Sequence, residues 1–425
     1  MSIFGALSTA VTGLNAQSAA FTDISDNIAN SQTVGYKRVD TAFESLLSSS
    51  NATINDSGGV VARPVYVNTV QGTITQTDNP LSMAIAGPGF FSVSLPAGTT
   101  PAGATLFAPL PQYTRAGGFQ LDKEGHMVNP GGQVLNGWPV DATGLANTAA
   151  LGPITIDKAA APPVETSLVT LAANLPPAGA TTTPVSTPVT VYDAQGKTHQ
   201  LTMTFTPVAG TPNNWNLGVT DDAGTSIGSG TVAFAADGTL AAVGSGGVTN
   251  GTPGAAGIVK LTTSYPDTAG SQKINLSLGA IGKTTALTQF AGNQYVLHSV
   301  DQNGAPPGAF SSVSTTAAGN VVVSYDNGVS KTVAQVPITT FASPDQLQRQ
   351  SGSAFSVTVA SGAPLAQQAG VNGAGAIDAS SAEASNVDLG AEFSQLIVAQ
   401  RAYAANAKLV TTADELLQQT LDMKR

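Results

Sequence analysis

Side chains able to do chemistry are few and scattered. Charged residues make up 10% of the 425-residue chain, with three histidines and no cysteine. Without cysteine there is no disulfide, thiol nucleophile or thiolate metal site. His126, His199 and His298 lie far apart in strand-like or turn-like sequence, and no His-Glu-x-x-His spacing offers a helical metal pair. Asp221-Asp222 and Asp414-Glu415 are acidic pairs. Neighbours on a strand or helix point apart, so both read as solvated faces rather than acid–base partners. Gly87-Pro88-Gly89 leads into a strand, so it cannot seat a phosphate on a helix N-terminus and reads as a turn. Tyr36-Lys37-Arg38 could bind an anion or form a polar helix exit, and the second reading fits the flanking pattern better. No catalytic, cofactor-binding or metal-ligating residue is expected.

The elements around these residues are more telling. Phe4, Leu7, Val11, Leu14, Phe21 and Ile28 follow the three-and-four step of a heptad, with Ser18 and Ser25 in the remaining seam positions. Ala6, Ala10, Ala16, Ala19, Ala20 and Ala29 fill much of the rest, which suits close packing on several sides. The pattern stops in Asn27–Arg38, where Gly35 can adopt the left-handed conformation of a helix cap. Such a helix is roughly 40 Å long at about 1.5 Å per residue. Leu389, Phe393, Leu396, Tyr403, Ala407, Val410, Leu417 and Leu421 repeat the same step at the other end, interrupted by Gln400 and Asp414. Ser385-Asn386-Val387-Asp388 reads as the capping box that opens this second helix. The two helices form either a hairpin within one chain or a seam between chains in an assembly.

Between them the sequence is strand-like and rich in turns, with 46 glycines and 25 prolines. After the first helix, Phe43, Leu46 and Leu47 suggest a short helix and 51–59 a flexible loop. Alternation marks strands at Leu81-Met83-Ile85, Phe91-Val93-Leu95, Leu201-Met203-Phe205, Trp215-Leu217-Val219, Val321-Val323-Tyr325 and Phe355-Val357-Val359. Asp326-Asn327-Gly328 is the strongest hairpin signal. The expected organisation is α+β, with long terminal helices pairing in coiled-coil fashion as an inner domain and two nested, mainly antiparallel β domains. Its pieces are an N-terminal helix (1–35), a connector (36–71), a first β domain split into 72–158 and 306–365, an inserted β domain (159–305), a linker (366–384) and a C-terminal helix (385–425).

The formal net charge of −10 and the absence of a basic stripe argue against nucleic acid. No run of about 18 apolar residues suggests a membrane span. The first positive side chain is Lys37, so the N-terminus does not read as a cleavable signal peptide and the first helix is expected to stay in the mature chain.

Several stretches carry a resemblance. Asn27-Ile28-Ala29-Asn30-Ser31-Gln32-Thr33-Val34-Gly35-Tyr36-Lys37 resembles the signature of the bacterial flagellar rod, hook and hook-associated protein family, through Asn27, Asn30, Thr33, Gly35, Tyr36 and Lys37. Ala84–Phe91, Tyr113–Phe119, Ser385–Leu389 and Gln400–Lys408 resemble further family motifs, in the family's order. Val189–Gly196 and Asn303–Gly308 resemble the borders of the insertion that separates the hook branch from the distal rod branch.

The resemblance implies a non-enzymatic subunit of an extracellular homopolymer. It would be a flexible tubular joint carrying torque between rod and filament, with no cofactor. It also implies the distal rod protein, a hook cap protein, a hook–filament junction protein and the flagellar type III export apparatus as partners. The polymer interface would be the seam of Phe4, Leu7, Val11, Leu14, Phe21, Ile28, Leu389, Phe393, Leu396, Tyr403, Val410, Leu417 and Leu421. The competing readings are a rod protein of the same family, and a secreted β-rich enzyme or adhesin. Only Trp138 and Trp215 would be available to the latter as an aromatic platform.

Overall fold

The computed structural model describes residues 3–50, 55–101, 103–141, 144–177, 183–211, 213–244, 254–265, 270–292 and 294–422. Two helices, Ile3–Ala29 (α1) and Leu389–Asp422 (α2), stand at the ends of the sequence, and nearly all other regular structure is antiparallel sheet. The chain divides into two compact units. One comprises 1–158, 312–323 and 330–425, the other 159–311 and 324–329. No described helix is long and apolar enough to cross a membrane.

Within the first unit α1 and α2 lie against each other. Asn406 sits beside Gly13, and Glu392 bonds Asn27, so the helices run in opposite senses. Phe21 and Tyr403 meet edge-to-face at 6.1 Å. The buried stripe of α1 is Ala10, Gly13, Ala16, Ala20, Ile24 and Asn27, because small side chains let a neighbouring backbone approach closely. The larger apolar residues of the expected seam flank that stripe.

The described part of the expected connector is a long strand pair, with strand in place of the expected short helix near Phe43–Leu47 and at 55–59 of the expected loop; 51–54 lie outside the described residues. Strand β1 (Val39–Ser50) pairs with β2 (Asn55–Tyr66) from Val39 opposite Tyr66 onward. The hairpin lies along α1, where Thr12 accepts a bond from the Val60 N–H at 3.2 Å and Asp23 accepts one from the Thr41 hydroxyl at 2.6 Å. The hydrophobic residues near Leu46 satisfy either period, and the hairpin register decided the outcome.

The first unit's central sheet runs Ser330–Gln335, Val134–Pro139, Phe90–Ser94, Gln112–Thr114, Ala354–Ser356, Gln348–Gln350. Phe90, Tyr113, Leu347 and Phe355 form a core on it, with Phe341 against both Phe90 and Tyr113. The expected linker at 366–384 is also structured. Ala376–Ala379 pairs with Met83–Ala86, and Ser381–Glu383 pairs with Ile74–Gln76. Its small residues fit tight ladders with few protruding side chains.

The second unit is two sheets around one core. Val185–Tyr192, Thr198–Pro207, Asn214–Thr220, Ser226–Phe234 and Leu240–Gly244 form an antiparallel meander. The other sheet centres on Leu168–Asn174, which pairs in parallel with Gln272–Ala280 and Leu287–Thr288 and antiparallel with Val296–Gln302. Val191, Leu201, Met203, Phe205, Trp215, Leu217 and Val219 are buried between the sheets. Compact units with separate cores should unfold separately. Phe205→Ala is expected to cost the second unit about 3–5 kcal/mol. In single-tryptophan variants the denaturation reported by Trp215 should move to lower denaturant, while that reported by Trp138 in the first unit stays in place. A common shift of both would contradict the division.

Candidate functional site

The stretch after α1 does not leave the helix into solvent. Asn30 turns the chain: its amide donates to the Asp26 carbonyl at 2.9 Å, and its side-chain oxygen accepts from Thr33 at 3.2 Å. Tyr36 N–H then bonds back to the Thr33 carbonyl. Gly35 is six residues beyond the helix, so it is not the cap of α1. Its φ of +69° and the Ala116 backbone, 2.4 Å from where a Cβ would sit, require glycine there. Its N–H bonds the Glu383 carbonyl at 2.8 Å.

Beyond it lies a buried ionic joint. Lys37 is 1% exposed and Glu383 is fully buried. Lys37 Nζ is 2.5 Å from Glu383 Oε1 and 2.7 Å from the Val70 carbonyl. Arg115 Nη1 reaches Glu383 Oε2 and the Ile85 carbonyl, each at 3.1 Å, and Nη2 reaches the Gly87 carbonyl at 2.7 Å. The Gly72 N–H completes the carboxylate at 2.9 Å. Two cations thus share one carboxylate, and three backbone carbonyls absorb the surplus positive charge. Burial pulls both the Lys37 ammonium and the Arg115 guanidinium below their ordinary values, and the Glu383 charge opposes this.

A second network adjoins the first. Asn27 Oδ1 accepts from the Val39 N–H (2.9 Å) and the Tyr36 hydroxyl (3.2 Å), while Nδ2 donates to the Val39 carbonyl (2.8 Å) and Glu392 Oε1 (3.2 Å). The Arg349 guanidinium lies 4.3 Å from the centre of the Tyr36 ring and donates to the Lys37 carbonyl. Asn386 accepts from the Arg38 N–H at 2.7 Å and donates to the Val67 and Val70 carbonyls. It therefore does not cap α2; Asp388 does, accepting from the Gly390 and Ala391 N–H groups. Residues 27–38, 67–72, 85–87, 115, 349 and 383–392 are tied at one place, the point where both helices meet the β structure. The site offers no exposed nucleophile or open carboxylate pair. Its bonds tie the ends of both helices to the β structure of the first unit.

Of the motif residues named from sequence, Asn27, Gly35, Tyr36 and Lys37 converge here, with Asn30 and Thr33 shaping the approach. Glu383, Arg115, Arg349, Asn386 and Glu392 were not recognised as joint residues from sequence. A lone charge between Ala382 and Ala384 in a weakly charged chain is the signal that marks Glu383. The expected seam divides. Leu7, Leu14, Phe21, Ile28, Leu396, Val410 and Leu417 are half-buried, whereas Val11, Leu389, Phe393 and Tyr403 are exposed. The side chains of Phe4 and Leu421 lie outside the described residues.

In the second unit, Asp222 is not merely a solvated charge. His199 Nδ1 is 3.1 Å from it, Nε2 is 3.2 Å from buried Asp193, and Tyr265 stacks on the imidazole. His126 contacts Thr155 and the Ile154 carbonyl, and His298 lies on the strand Val296–Gln302. Among the described residues no group of three or more His, Asp or Glu is placed to hold a metal ion.

Residues 7–37 match the family model described as Flagella basal body rod protein, and 84–171 that described as Flagellar hook protein FlgE/F/G D1 domain. Residues 158–305 match Flagellar basal body protein FlaE D2 domain, and 379–423 match Flagellar basal body rod FlgEFG protein C-terminal. The chain is 33% identical to the flagellar hook protein FlgE of Brucella abortus over the whole of both. It is 30% identical to that of Salmonella typhimurium, over 98% of this chain and 99% of the relative. A crystal structure of Helicobacter pylori flagellar hook protein FlgE2 aligns with a TM-score of 0.48 at 15% identity, over 71% of this chain and 98% of that one.

Removing the only carboxylate between two buried cations should be costly. Glu383→Gln is expected to destabilise the first unit by about 3–5 kcal/mol. Denaturation followed through Trp138 should shift accordingly, and that followed through Trp215 should not. An unshifted Trp138 transition would mean that the triad holds nothing together.

Proposed function

This chain belongs to the flagellar hook protein family and is a structural subunit of the flagellar hook, not an enzyme, and from that premise we propose how its helices build the polymer. Members of the family polymerise with themselves within a rod-associated flagellar assembly.

The observation that carries the proposal is apolar surface the single chain leaves uncovered. At about 100° per residue, α2 turns Glu392, Ala399, Asn406, Ala413 and Leu417 toward one side, with Ala399 and Glu392 buried. Leu389, Phe393 and Ile397 occupy one flank of that side; Val398, Leu409 and Leu416 occupy the other. Phe393 is 51% and Val398 67% exposed. On α1, Val11 is 43% exposed. A helix with two apolar flanks beside its partner-facing stripe suits a ring or tube of helices, where each flank meets another subunit. The coiled-coil-like seam is thus shared. Phe21, Leu396, Val410 and Leu417 serve partly within one chain, while Val11, Leu389 and Phe393 serve between chains.

In this reading torque enters through the helical layer and crosses to the first unit's β structure through the Lys37–Glu383–Arg115 joint. Each unit keeps its own core, and small displacements between neighbouring subunits' β structure give curvature. The helical ends, whose family models carry rod names, suit end-to-end contact with the distal rod protein. The hook–filament junction protein would meet the opposite end of the tube. A cap protein would hold newly arrived subunits while their apolar flanks find partners, after delivery by the type III apparatus.

A charge on an exposed flank tests this. Phe393→Asp should leave the monomer's unfolding unchanged, because the side chain is half in water. In the polymer it would bury an unpaired ion at a cost of several kcal/mol in every subunit. Electron microscopy should show export of the protein without hooks. Full-length hooks built from Phe393→Asp subunits would refute the proposal.

A further inference from the structure

Two glutamates near the start of α2 are buried, and the structure treats them oppositely. Glu383 receives two cations and a backbone N–H. Glu392, in the first turn of α2, is 1% exposed and receives one bond, from Asn27 Nδ2 to Oε1; Oε2 has no partner. Asn27 cannot do more. Both of its amide positions are committed, and its bonds to the Val39 N–H and carbonyl fix which end faces Glu392. The charged and titratable groups facing Glu392 make matters worse for a carboxylate. Asp40 on β1 and Asp388 at the cap of α2 repel it. Arg38 is the one nearby cation that favours ionisation, and its guanidinium is engaged with Asp40 at 3.2 Å. Tyr36 contributes only a phenol. No metal-binding cluster forms among the described residues, so the group that can neutralise this carboxylate is a proton.

We infer that Glu392 is a proton-operated latch, docking the first turn of α2 on the last turn of α1 more firmly when its carboxyl is neutral. Burial, before the repulsion from Asp40, pushes this carboxyl above the ordinary glutamate range, against the opposing Asn27 bond. The docked state then holds the proton more tightly than the undocked chain does. Docking therefore strengthens as pH falls through the docked-state midpoint, and above that midpoint the increment is lost. Above that midpoint the α1–α2 contact is held below its full strength, while the bonds of the Lys37–Glu383–Arg115 triad do not involve Glu392.

Hydrogen exchange of the full-length monomer, corrected for intrinsic rates, reads this out in peptides covering 20–30 and 387–400. Lowering the pH from above the docked midpoint to below the undocked one, about pH 4, should raise wild-type protection by up to about tenfold for each unit separating the two midpoints. Glu392→Gln should hold protection at the acid level throughout, with no step. Asp23 on α1 is also pushed up by burial, with its Thr41 bond opposing, so the difference between wild type and Glu392→Gln isolates Glu392. Asp40→Asn keeps Glu392, removes the repulsion and frees Arg38, so its step should remain but move to lower pH. A step of the same size in Glu392→Gln would overturn the inference. If Glu392→Gln fails to fold, an unmoved midpoint in Asp40→Asn would overturn it alone.

Discussion

A carboxylate with no access to water binds the two ends of this chain to its β structure. Glu383 lies on a short strand paired with Ile74–Gln76, and its oxygens draw in Lys37 from beyond α1 and Arg115 from the central sheet's border. None of the three tolerates burial alone. Each is stable where it is because the other two are there, with the Val70, Ile85 and Gly87 carbonyls spreading the residual positive charge. That mutual dependence explains why the surrounding backbone is so constrained: Gly35 must pass within van der Waals distance of Ala116, and Gly72 must present its N–H to Glu383. A hydrophobic contact between helix and sheet would slide under load. A buried ionic contact must break an interaction before it moves.

The helices solve a different problem with different means. The buried stripe of α1 is built largely from Ala10, Gly13, Ala16 and Ala20, residues too small to contribute much apolar area. The large side chains stand beside the contact. Small residues let α1 pack closely within the chain, while Val11, Phe393 and Val398 still present apolar surface. Intrachain packing positions the helix and leaves that apolar surface uncovered.

The sequence was most legible where alternation was strict and both ends were turns. The strands around Val189, Leu201, Trp215 and Val232 follow from period-two burial alone. It was least legible where one residue served two periods or where a charge was hidden. Phe43, Leu46 and Leu47 suit a helix locally, but β1 is held as a strand by eleven residues of pairing with β2 that no local signal announces. Tyr36-Lys37-Arg38 looks solvated because cations usually are, and its burial depends on Glu383, more than three hundred residues away. The 366–384 stretch has a linker's composition, yet Ile377 and Glu383 are buried in it. Asp222 looked like one half of an exposed pair until the fold put His199 against it. The resemblance to flagellar axial proteins marked much of the joint as a motif without saying what the motif was for.

Scarcity of charge is what makes these departures informative. With 10% charged residues, the surface has little ionic material to spare, so a charge that is nonetheless buried has been placed against its solvation cost. The joint concentrates several: Lys37, Arg115 and Glu383, brought into balance by three backbone carbonyls, and Glu392, out of balance nine residues on. Balance gives a contact that is indifferent to conditions over the range where its members keep their charges. Imbalance gives one that responds. Both lie within the same neck: the triad is held by several bonds at once, whereas Glu392 leaves the α1–α2 contact one interaction short.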